Sequence, residues 1–513
     1  MNGSSVSVSL GIVYIVGAGP GDPALITLKG AQALREADIV FYDELLDRRL
    51  LDLVSLTCEL VYVGKRRGHV SNTQRSINKL MVERAREGMV VVRLKGGDPL
   101  IFGRGGEEAL HLKQAGVNFE IVPGVSAASG ATAYAGIPLT HRGTASSAVI
   151  VTGNEDPEAE TCSVDWSILA QLDATLAIFM ATRTLPAICR TLVRHGRAST
   201  TPAAVIQQGT WSHQKTVEGT LETLAERAAA ASIASPALIV VGEVVTLRNQ
   251  LMWREHKPLF GRHILVTRSA DQAGDLSERL AAAGAQVHNL PLIEISEPDV
   301  LQPLDEAICS LSNWHWLLFT SANGVKFFFK RLLDLQSDAR VLSHVRIAAV
   351  GSKTAQALSE CNIRADLIPL EPSQRGLISA FSNLEVEGLR FLFPTSDLSR
   401  TELPDALEAR GAHVERVIAY QNRVPKIDQT VSQLTREEPI DLIIFTSPSA
   451  IHHAYEVLGQ QEADALLNQN DIACMGSTTA EAARARGLTV EVQPARSSIP
   501  NLVEAICTHY SAL

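Results

Sequence analysis

The sequence predicts an α/β protein composed of several lobes. Short apolar runs alternate with amphipathic stretches along the whole chain, which is typical of strands and helices taking turns. Glycine-rich turns follow several of these apolar runs, and the second half of the chain contains an internal repeat. With 513 residues, the chain can form about three or four domains.

The composition excludes several classes of protein. Hydrophobic residues make up 46% of the chain and charged residues 20%, as in ordinary globular proteins. The net charge of −10, without a basic half, argues against broad binding of nucleic acid. The longest apolar runs, such as Pro236–Val241, fall far short of the ~18 residues of a membrane helix, and Met1–Ser5 lacks the start of a signal peptide. We therefore expect a cytoplasmic protein whose partners are neither nucleic acid nor a membrane.

The cysteines and histidines do not predict a metal site. The seven cysteines contain no C-x-x-C pair, and the fourteen histidines contain no H-E-x-x-H motif. Dispersed cysteines in a cytosolic chain are typical of buried free thiols. We expect no metal and no catalytic cysteine.

A polar stretch divides the chain into two halves. The segment Arg248–Pro258 is polar, ends at a proline and leads into a new apolar run, His263–Thr267. We place the first domain at 12–250, a linker at 251–261 and the second domain at 262–513.

The first glycine-rich turn differs from a dinucleotide-binding loop. The apolar run from Val13 enters Gly17-Ala-Gly-Pro-Gly-Asp22, which begins like the G-x-G-x-x-G fingerprint. Its sixth position is Asp22, an acid that would repel a phosphate, and Pro20 removes a backbone N–H that a pyrophosphate would need. The loop therefore favours a ligand without phosphates.

Two further glycine-rich turns follow strand-like runs in the first half. One lies in Val91–Glu107 and contains Gly-Gly-Asp-Pro, and the other lies in Ile121–Ser129. Glycines allow backbone to approach a flat ligand closely, although each loop could also be a turn and nothing more.

The repeat in the second half predicts two similar lobes. Leu317–Val325 resembles Leu442–Ile451, with Thr320 and Thr446 126 positions apart, and the Gly-Ser turns at Gly351 and Gly476 keep almost the same spacing. Each unit reads as strand, Thr-Ser turn, helix, strand, Gly-Ser turn and helix. Polar turns at strand ends are where open α/β sheets bind ligands, although the same hydroxyls also suit helix N-caps.

The motifs of the first half resemble a known enzyme family. G-A-G-P-G-D (17–22), V-G-K-R (63–66), R-L-K-G-G-D-P-L-I-F-G-R-G-G-E-E (93–108) and V-P-G-V-S-A-A-S-G (122–130) are similar to the uroporphyrinogen-III C-methyltransferases. The resemblance covers about 12–250. It implies two α/β lobes, S-adenosylmethionine bound between them with S-adenosylhomocysteine as the product, and a homodimer.

The same resemblance implies roles for individual residues. It makes Asp43 the proton acceptor and Lys65 the proton donor, although Asp43 could instead cap a helix and Lys65 could instead bind substrate carboxylates. Phe179-Met-Ala181 stands where the family often has Tyr-Met-Gly. Further basic residues that could meet the carboxylates of the tetrapyrrole are Arg66, Arg104 and Arg142. The residues that match contacts to the methyl donor are Pro20, Gly96, Gly97, Asp98, Ile101, Ser126, Ala127, Met180 and Gly209.

The second half resembles uroporphyrinogen-III synthase. The match consists of Ile264–Arg268, Phe-Thr-Ser at 319–321 and 445–447, Phe391–Ser396, Val417–Gln421 and the Gly-Ser-x-Thr-Ala turns. It implies two flavodoxin-like lobes, lobe one at 262–296 plus 424–513 and lobe two at 297–423. It makes Tyr420 the group that assists the departing hydroxyl, unless Tyr420 packs at the hinge. The expected cleft residues are Thr320, Ser321, Thr354, Ser447 and Thr479.

The two resemblances together imply a bifunctional enzyme. The second half would cyclise hydroxymethylbilane to uroporphyrinogen III with inversion of the last ring. The first half would methylate that product twice to precorrin-2, which leads to sirohaem or cobalamin. The alternatives are a methyltransferase that acts on another tetrapyrrole carbon and a non-catalytic scaffold that binds the same ligands.

Overall fold

A computed structural model provides the structure of this chain. It describes residues 11–511 except 45, 56, 65–73, 160, 269, 291, 293, 398, 400 and 425–439. The chain forms two compact units, one of Met1–Arg262 with Ala281–Gln286 and one of His263–Leu280 with Val287–Leu513. None of the helices in these described ranges is long and apolar enough to cross a membrane.

The first unit contains ten strands and eight helices among its described residues. The strands are β1 Ile12–Gly17, β2 Ile39–Tyr42, β3 Glu59–Tyr62, β4 Val90–Lys95, β5 Asn118–Val122, β6 Ala148–Thr152, β7 Thr175–Phe179, β8 Pro202–Gln207, β9 Lys215–Thr220 and β10 Ala237–Val241. The helices are α1 Leu28–Arg35, α2 Gln74–Arg86, α3 Gly105–Gln114, α4 Ala127–Tyr134, α5 Trp166–Gln171, α6 Leu185–Arg194, α7 Leu224–Ala230 and α8 Arg248–Leu251.

The first sheet of this unit is parallel and buried on both faces. Its order is β3-β2-β4-β1-β5. Val13 and Ile15 of β1 pack into one hydrophobic cluster while Val16 packs into another on the opposite face. Parallel sheets covered on both sides produce such continuous apolar runs. All five strands therefore end at the same edge, from which the glycine-rich loops leave.

The second sheet of the unit is mixed. Its order is β6-β7-β10-β8-β9, with β10 antiparallel to both β7 and β8, and β6 parallel to β7. Strands β6, β7 and β8 consequently run in one direction and share a carboxyl edge. The loops that carry Met180 and Gly209 leave from that edge.

The predicted linker is packed on the first unit. Helix α8 begins at Arg248, and a Cβ built on Gly136 would lie 2.5 Å from the carbonyl carbon of Leu251. The indole N–H of Trp253 donates to the carbonyl of Ala133 at 3.1 Å, and Leu259 is fully buried. Polarity predicted a linker here, but side chains of this segment contact α4.

The second unit contains nine strands and ten helices among its described residues. The strands are β11 His263–Val266, β12 Gln286–Asn289, β13 Glu294–Ser296, β14 Trp316–Phe319, β15 Arg346–Ala349, β16 Arg390–Ser396, β17 His413–Arg423, β18 Leu442–Phe445 and β19 Asp471–Cys474. The helices are α9 Ala270–Ala282, α10 Gln302–Cys309, α11 Ala322–Asp334, α12 Ser352–Glu360, α13 Gln374–Phe381, α14 Glu402–Glu408, α15 Pro448–Leu458, α16 Gln460–Asn468, α17 Ser477–Ala485 and α18 Ile499–Ser511.

These strands form two sheets. One has the order β12-β11-β18-β19, and the other has the order β13-β17-β16-β14-β15. Strand β13 is antiparallel to β17 and so belongs to the second of these sheets. The sequence boundary had assigned its residues to lobe one, which was wrong for this short strand because its pairing partner is distant in sequence.

The two lobes repeat each other in structural detail. The backbone N–H groups of Ile347 and Ile472, 125 positions apart, each donate to an acidic side chain at 2.7 Å. The acceptors, Asp366 and Glu491, keep the same spacing of 125. Each lobe runs strand, helix, strand and helix in the expected order, with one additional helix, α16, before β19, and this order confirms the repeat.

Candidate functional sites

Three loops meet at the carboxyl edge of the first sheet. Gly19 and Gly97 exchange two backbone hydrogen bonds, of 3.2 and 2.7 Å. A Cβ built on Gly17 would lie 2.6 Å from the Cα of Gly124 and 2.7 Å from the carbonyl oxygen of Gly97. The backbones of the loops that follow β1, β4 and β5 therefore touch directly at these glycines, and only residues without a side chain fit there.

Asp98 binds two of these loops together. One carboxylate oxygen accepts from the backbone N–H of Leu100 at 2.8 Å, and the other accepts from Gly124 N–H at 3.1 Å. An ionised carboxylate offers about four lone-pair sites, so acceptor capacity remains for a hydroxyl or amino group of a ligand. Asp98 can thus shape the loop and bind a ligand at once.

Helix α4 begins at the same edge. Ser126 caps it through a 3.3 Å bond from Ala128 N–H, and Ala127 is its first residue. A Cβ built on Gly130 would lie 2.7 Å from the ring of Pro20, so the first loop rests on this helix.

The carboxyl edge of the second sheet faces these loops. Phe179, which ends β7, contacts the ring of Phe102 at a centroid distance of 5.2 Å. Met180 follows with 49% of its surface exposed, and a Cβ on Gly209 would overlap that of Ala131 in α4. All nine residues expected to contact a methyl donor therefore lie on loops, or at a helix start, that follow the carboxyl ends of strands in the first unit.

The loop after β8 adopts a strained backbone. Gln208 and Thr210 have positive φ angles of 46° and 76° on either side of Gly209. Such conformations cost about 1–3 kcal/mol each for residues with a side chain, and they persist only where neighbouring groups hold them. Here Gln214 accepts from the N–H of Thr210 at 2.9 Å, while Arg254 donates to its carbonyl at 3.1 Å.

Asp22 joins this strained loop to the first glycine-rich loop. Its backbone N–H donates to the Thr210 hydroxyl at 2.9 Å, and its carboxylate accepts from the Tyr134 hydroxyl, also at 2.9 Å. Burial, together with the charge of Asp22, raises the pKa of Tyr134 to about 12, so its proton stays in this hydrogen bond. The acid that distinguishes this loop from a dinucleotide fingerprint is thus a brace within the fold.

Asp43 lies beside a buried network of charges. Its carboxylate pairs with Arg93 at 3.2 Å, and Arg93 continues to Glu108 at 3.3 Å. Glu108 is fully buried and also accepts from Lys95 at 3.1 Å and from Gln74 at 2.9 Å. Burial, and then the neighbouring Arg93 guanidinium, lower the pKa of Lys95.

Sequence reasoning missed Arg93, Lys95 and Glu108. The available signal was the presence of two cations within the apolar run Val91-Val-Arg-Leu-Lys, since a charge inside a buried strand needs a partner. Arg254 carried no such signal, because it lies in the stretch taken for a linker.

Two of the four expected basic residues of the first unit lie within the described ranges, and both are exposed. Arg104 is exposed and pairs with Glu107 at 2.7 Å, and Arg142 is exposed as well. Lys65 and Arg66 lie outside the described residues.

The second unit contains a cavity of about 310 Å³ at the carboxyl edges of its sheets. Both sheets contribute to its lining, which is mostly polar. The lining residues are Arg268, Ile295, Asn323, Lys353, Asn422, Thr446, Ser447, Ser449, Met475, Ser497, Ser498 and Ile499.

Helix N-termini supply much of this lining. Ser447 caps α15, with its hydroxyl accepting from Ala450 N–H at 3.4 Å, and Ile499 begins α18. Asn323 and Lys353 lie in the first turns of α11 and α12. Helix N-termini attract anions, and Lys353 adds a cation that carboxylates can pair with. Burial lowers the pKa of Arg268, the other cation of the lining.

One of the six residues expected in the synthase-like half lines this cavity. That residue is Ser447, and Thr320, Ser321, Thr354, Thr479 and Tyr420 do not line it. Thr354 and Thr479 are buried in the first turns of their helices. Sequence reasoning missed Lys353, although it stands in the quoted Gly-Ser-Lys-Thr turn.

Tyr420 packs inside the second lobe. It is 8% exposed, stacks on Phe327 at 5.9 Å and shares a 3.0 Å hydrogen bond with the hydroxyl of Ser321. Ser321 in turn caps α11 through Gly324 N–H at 2.9 Å. The tyrosine therefore sits directly behind a helix start.

Comparison with known proteins identifies the family of each half of the chain. The model of the tetrapyrrole (corrin/porphyrin) methylases matches residues 12–225, and that of uroporphyrinogen-III synthase HemD matches 274–504. Porphyrin biosynthesis protein HemD of Ruminiclostridium josui is 35% identical over 497 residues, which is 97% of each chain. The chain belongs to this family of fused tetrapyrrole methylases and uroporphyrinogen-III synthases.

Two further relatives match different shares of the chain. Uroporphyrinogen-III C-methyltransferase of Bacillus subtilis is 38% identical over 382 residues, 74% of this chain and 77% of the relative. Siroheme synthase 1 of Klebsiella pneumoniae is 53% identical over 246 residues, 48% of this chain and 51% of the relative. The predicted fold class and the fusion of a methylase domain with a synthase domain in tetrapyrrole biosynthesis are confirmed.

Proposed function

We propose that the synthase domain closes hydroxymethylbilane to uroporphyrinogen III with inversion of the last ring, and that the methylase domain then methylates this product twice to precorrin-2. The observation that carries the proposal is the meeting of three glycine-rich loops and Asp98 at the carboxyl edge of the first sheet. Those loops provide backbone surface for a flat ligand without phosphates.

S-adenosylmethionine is the methyl donor in this proposal. Pro20 and Asp22 make the first loop unsuited to a diphosphate, whereas Asp98 offers an acceptor for hydroxyl or amino groups. The small residues Gly96, Gly97 and Ala127 leave room for a planar base, and Met180 is exposed at the end of β7. S-adenosylhomocysteine is the corresponding product.

The methyl transfer needs positioning and removal of a proton. A pyrrole carbon uses its electron pair to form the new C–C bond while the C–S bond of the sulfonium breaks, leaving a neutral thioether. The methylated ring system then loses a proton. Asp43 is the proposed acceptor, and its ion pair with Arg93 orients the carboxylate. Lys65, the proposed donor, and Arg66, a proposed contact to substrate carboxylates, belong to the same scheme.

The synthase reaction needs an anion-binding cleft. The hydroxymethylbilane chain carries many carboxylates, and the cavity offers helix N-termini together with Lys353 and Arg268. Tyr420 is the proposed aid to the departing hydroxyl, in which case the hydrogen bond to Ser321 orients its proton.

The wider setting is part of the same proposal. We expect a cytoplasmic enzyme that forms a homodimer through the methylase domain, with boundaries near 12–250 and 262–513. The 53% identity to a sirohaem synthase, over about half of that protein, favours the sirohaem branch.

Two substitutions test the methylase assignment. Asp43→Asn removes the proposed base, and Asp98→Asn removes one charged acceptor. With uroporphyrinogen III and S-adenosylmethionine supplied, we expect Asp43→Asn to lower the methylation rate by about 10²–10⁴-fold. Synthase activity of the same protein is the internal control, and Glu226→Gln on the exposed face of α7 is a matched loss of charge. Methylation at wild-type rate by Asp43→Asn would remove Asp43 from its role.

A further inference from the structure

The segment that leads out of the methylase domain contacts the proposed methyl-donor loops. Residues 252–257, here the exit segment, follow α8 directly. Arg254 is 9% exposed, lies over the ring of Tyr134 at 4.6 Å and donates to the carbonyl of Thr210 at 3.1 Å. A buried arginine in a segment that joins two domains is unusual and calls for a partner, which Thr210 supplies.

Arg254 holds a strained part of the chain. Thr210 has a φ angle of +76°, is 1% exposed and follows Gly209. Its carbonyl accepts from the buried guanidinium, and a buried carbonyl that loses its donor pays the full desolvation penalty. Removing Arg254 therefore favours relaxation of the loop that carries Gly209.

The same contacts reach the first glycine-rich loop. Thr210 accepts from the N–H of Asp22, and Asp22 accepts from the hydroxyl of Tyr134, whose ring lies under Arg254. Trp211, next in the chain, donates its indole N–H to the carbonyl of Pro20 at 3.2 Å. Arg254, Thr210, Asp22 and Tyr134 thus form a closed ring of contacts that joins two of the proposed donor loops to α4.

We propose that Arg254 and Tyr134 are positioning residues of the methyl-donor site, so that the exit segment is a working part of the methylase. They touch neither donor nor substrate but set the distance between the loop of Pro20 and the loop of Gly209. This inference rests on the proposed function, because it requires that these loops bind S-adenosylmethionine. A segment that the sequence presents as a linker would then position the loops that bind the donor, and it would have no such role for the tetrapyrrole.

Titration calorimetry of the full-length protein with S-adenosylhomocysteine tests the proposal. We expect Arg254→Gln to raise the dissociation constant about tenfold, since a hydrogen bond from a charged donor to a buried acceptor is lost. Lys257→Gln is the matched control, because Lys257 lies in the same segment and packs over the ring of Trp253 at 4.9 Å. That control should bind within about twofold of wild type, because Lys257 is only partly buried and a charge that stays in contact with solvent contributes little.

Tyr134→Phe keeps the ring under Arg254 and removes only the bond to Asp22. We expect it to weaken binding about threefold, and it decides the matter if Arg254→Gln does not fold. A purely structural role would lower the binding stoichiometry and leave the dissociation constant unchanged. In steady-state kinetics, we expect both variants to have a raised KM for S-adenosylmethionine and an unchanged KM for uroporphyrinogen III.

The outcomes separate the inference from the proposed function. Wild-type protein that fails to bind S-adenosylhomocysteine overturns the proposed function and this inference with it. Wild-type protein that binds, with Arg254→Gln and Tyr134→Phe binding equally well, overturns the inference alone. Synthase activity measured in every sample checks the concentration of active protein, and the binding stoichiometry reports the folded fraction of each methylase domain.

Discussion

The backbone of Gly17 lies between the loops that follow β4 and β5. A methyl group there would meet the backbone of Gly97 and Gly124, and neither can move aside as a side chain could. The sequence motif identified these glycines, because several such turns followed strand-like runs. It did not reveal that they touch one another, which depends on strand order.

Gly17→Ala should therefore disrupt this edge of the sheet. We expect a loss of about 3 kcal/mol in the stability of the methylase domain, because overpacking against backbone cannot relax cheaply. Gly106→Ala is the control, since no atom lies within 4 Å of its Cβ position in α3 and alanine favours helix. Thermal unfolding of both variants checks this, and equal stability would contradict the packing described for Gly17.

The charges around Glu108 show a different limit of sequence reasoning. Lys95 and Arg93 are found in a motif that was quoted for its glycines and its aspartate. Both cations are buried and both donate to Glu108, which lies thirteen residues after Lys95. Pairings of this kind depend on the three-dimensional fold, so the motif alone did not expose them.

Lys95 makes stability depend on pH. Because its pKa is lower in the folded chain than its ordinary value of 10.5, the unfolded chain binds more protons in the window between the two values. Stability then rises with pH inside that window, by up to about 1.4 kcal/mol per pH unit. Chemical denaturation of wild type and Lys95→Met from pH 7 upward measures this dependence. The synthase domain contributes equally to both proteins, so its contribution is absent from the difference between their free energies of unfolding. A difference that falls as pH rises would mean that pairing with Glu108 dominates over burial.

At the scale of helices and strands, two helices of the synthase domain begin in the same way. Ser321 and Ser447 occupy equivalent positions and cap α11 and α15 by the same bond. The repeat in the sequence predicted both. It did not predict that Ser447 lines the cavity while Ser321 binds Tyr420, because that difference arises from how the two sheets pack.

This difference can be measured with a pair of substitutions. Ser321→Ala and Ser447→Ala should each cost about 1 kcal/mol of stability, as the loss of an N-cap does. We expect Ser447→Ala alone to raise the KM for hydroxymethylbilane as well. Steady-state kinetics beside urea denaturation tests this, and equal KM values in the two variants would remove Ser447 from the substrate cleft.

The alternation of apolar and amphipathic segments predicted the α/β architecture of every lobe. Strand order, the antiparallel β10 and the place of β13 were not predicted, because each depends on pairing between distant segments. The predicted linker was placed by polarity, and polarity did not distinguish a free connection from one whose arginine and tryptophan bind α4.

Over the whole molecule, the chain carries a net charge of −10 although its proposed substrates are anions. The field of the whole protein therefore opposes binding, and local groups must overcome it. In the synthase domain these are Lys353, Arg268 and the helix N-termini around the cavity. In the methylase domain the donor loops carry few charges, which suits a ligand recognised through backbone and Asp98.

We propose that this one chain performs both reactions in succession. The most direct measurement is to incubate the full-length protein with hydroxymethylbilane, without oxygen, in the presence and absence of S-adenosylmethionine. Chromatography and mass spectrometry then identify the isomer and count the methyl groups. We expect the type III isomer without the donor and the same isomer with two added methyl groups when the donor is present. Only the spontaneous type I isomer, or a type III product that never gains methyl groups, would contradict it.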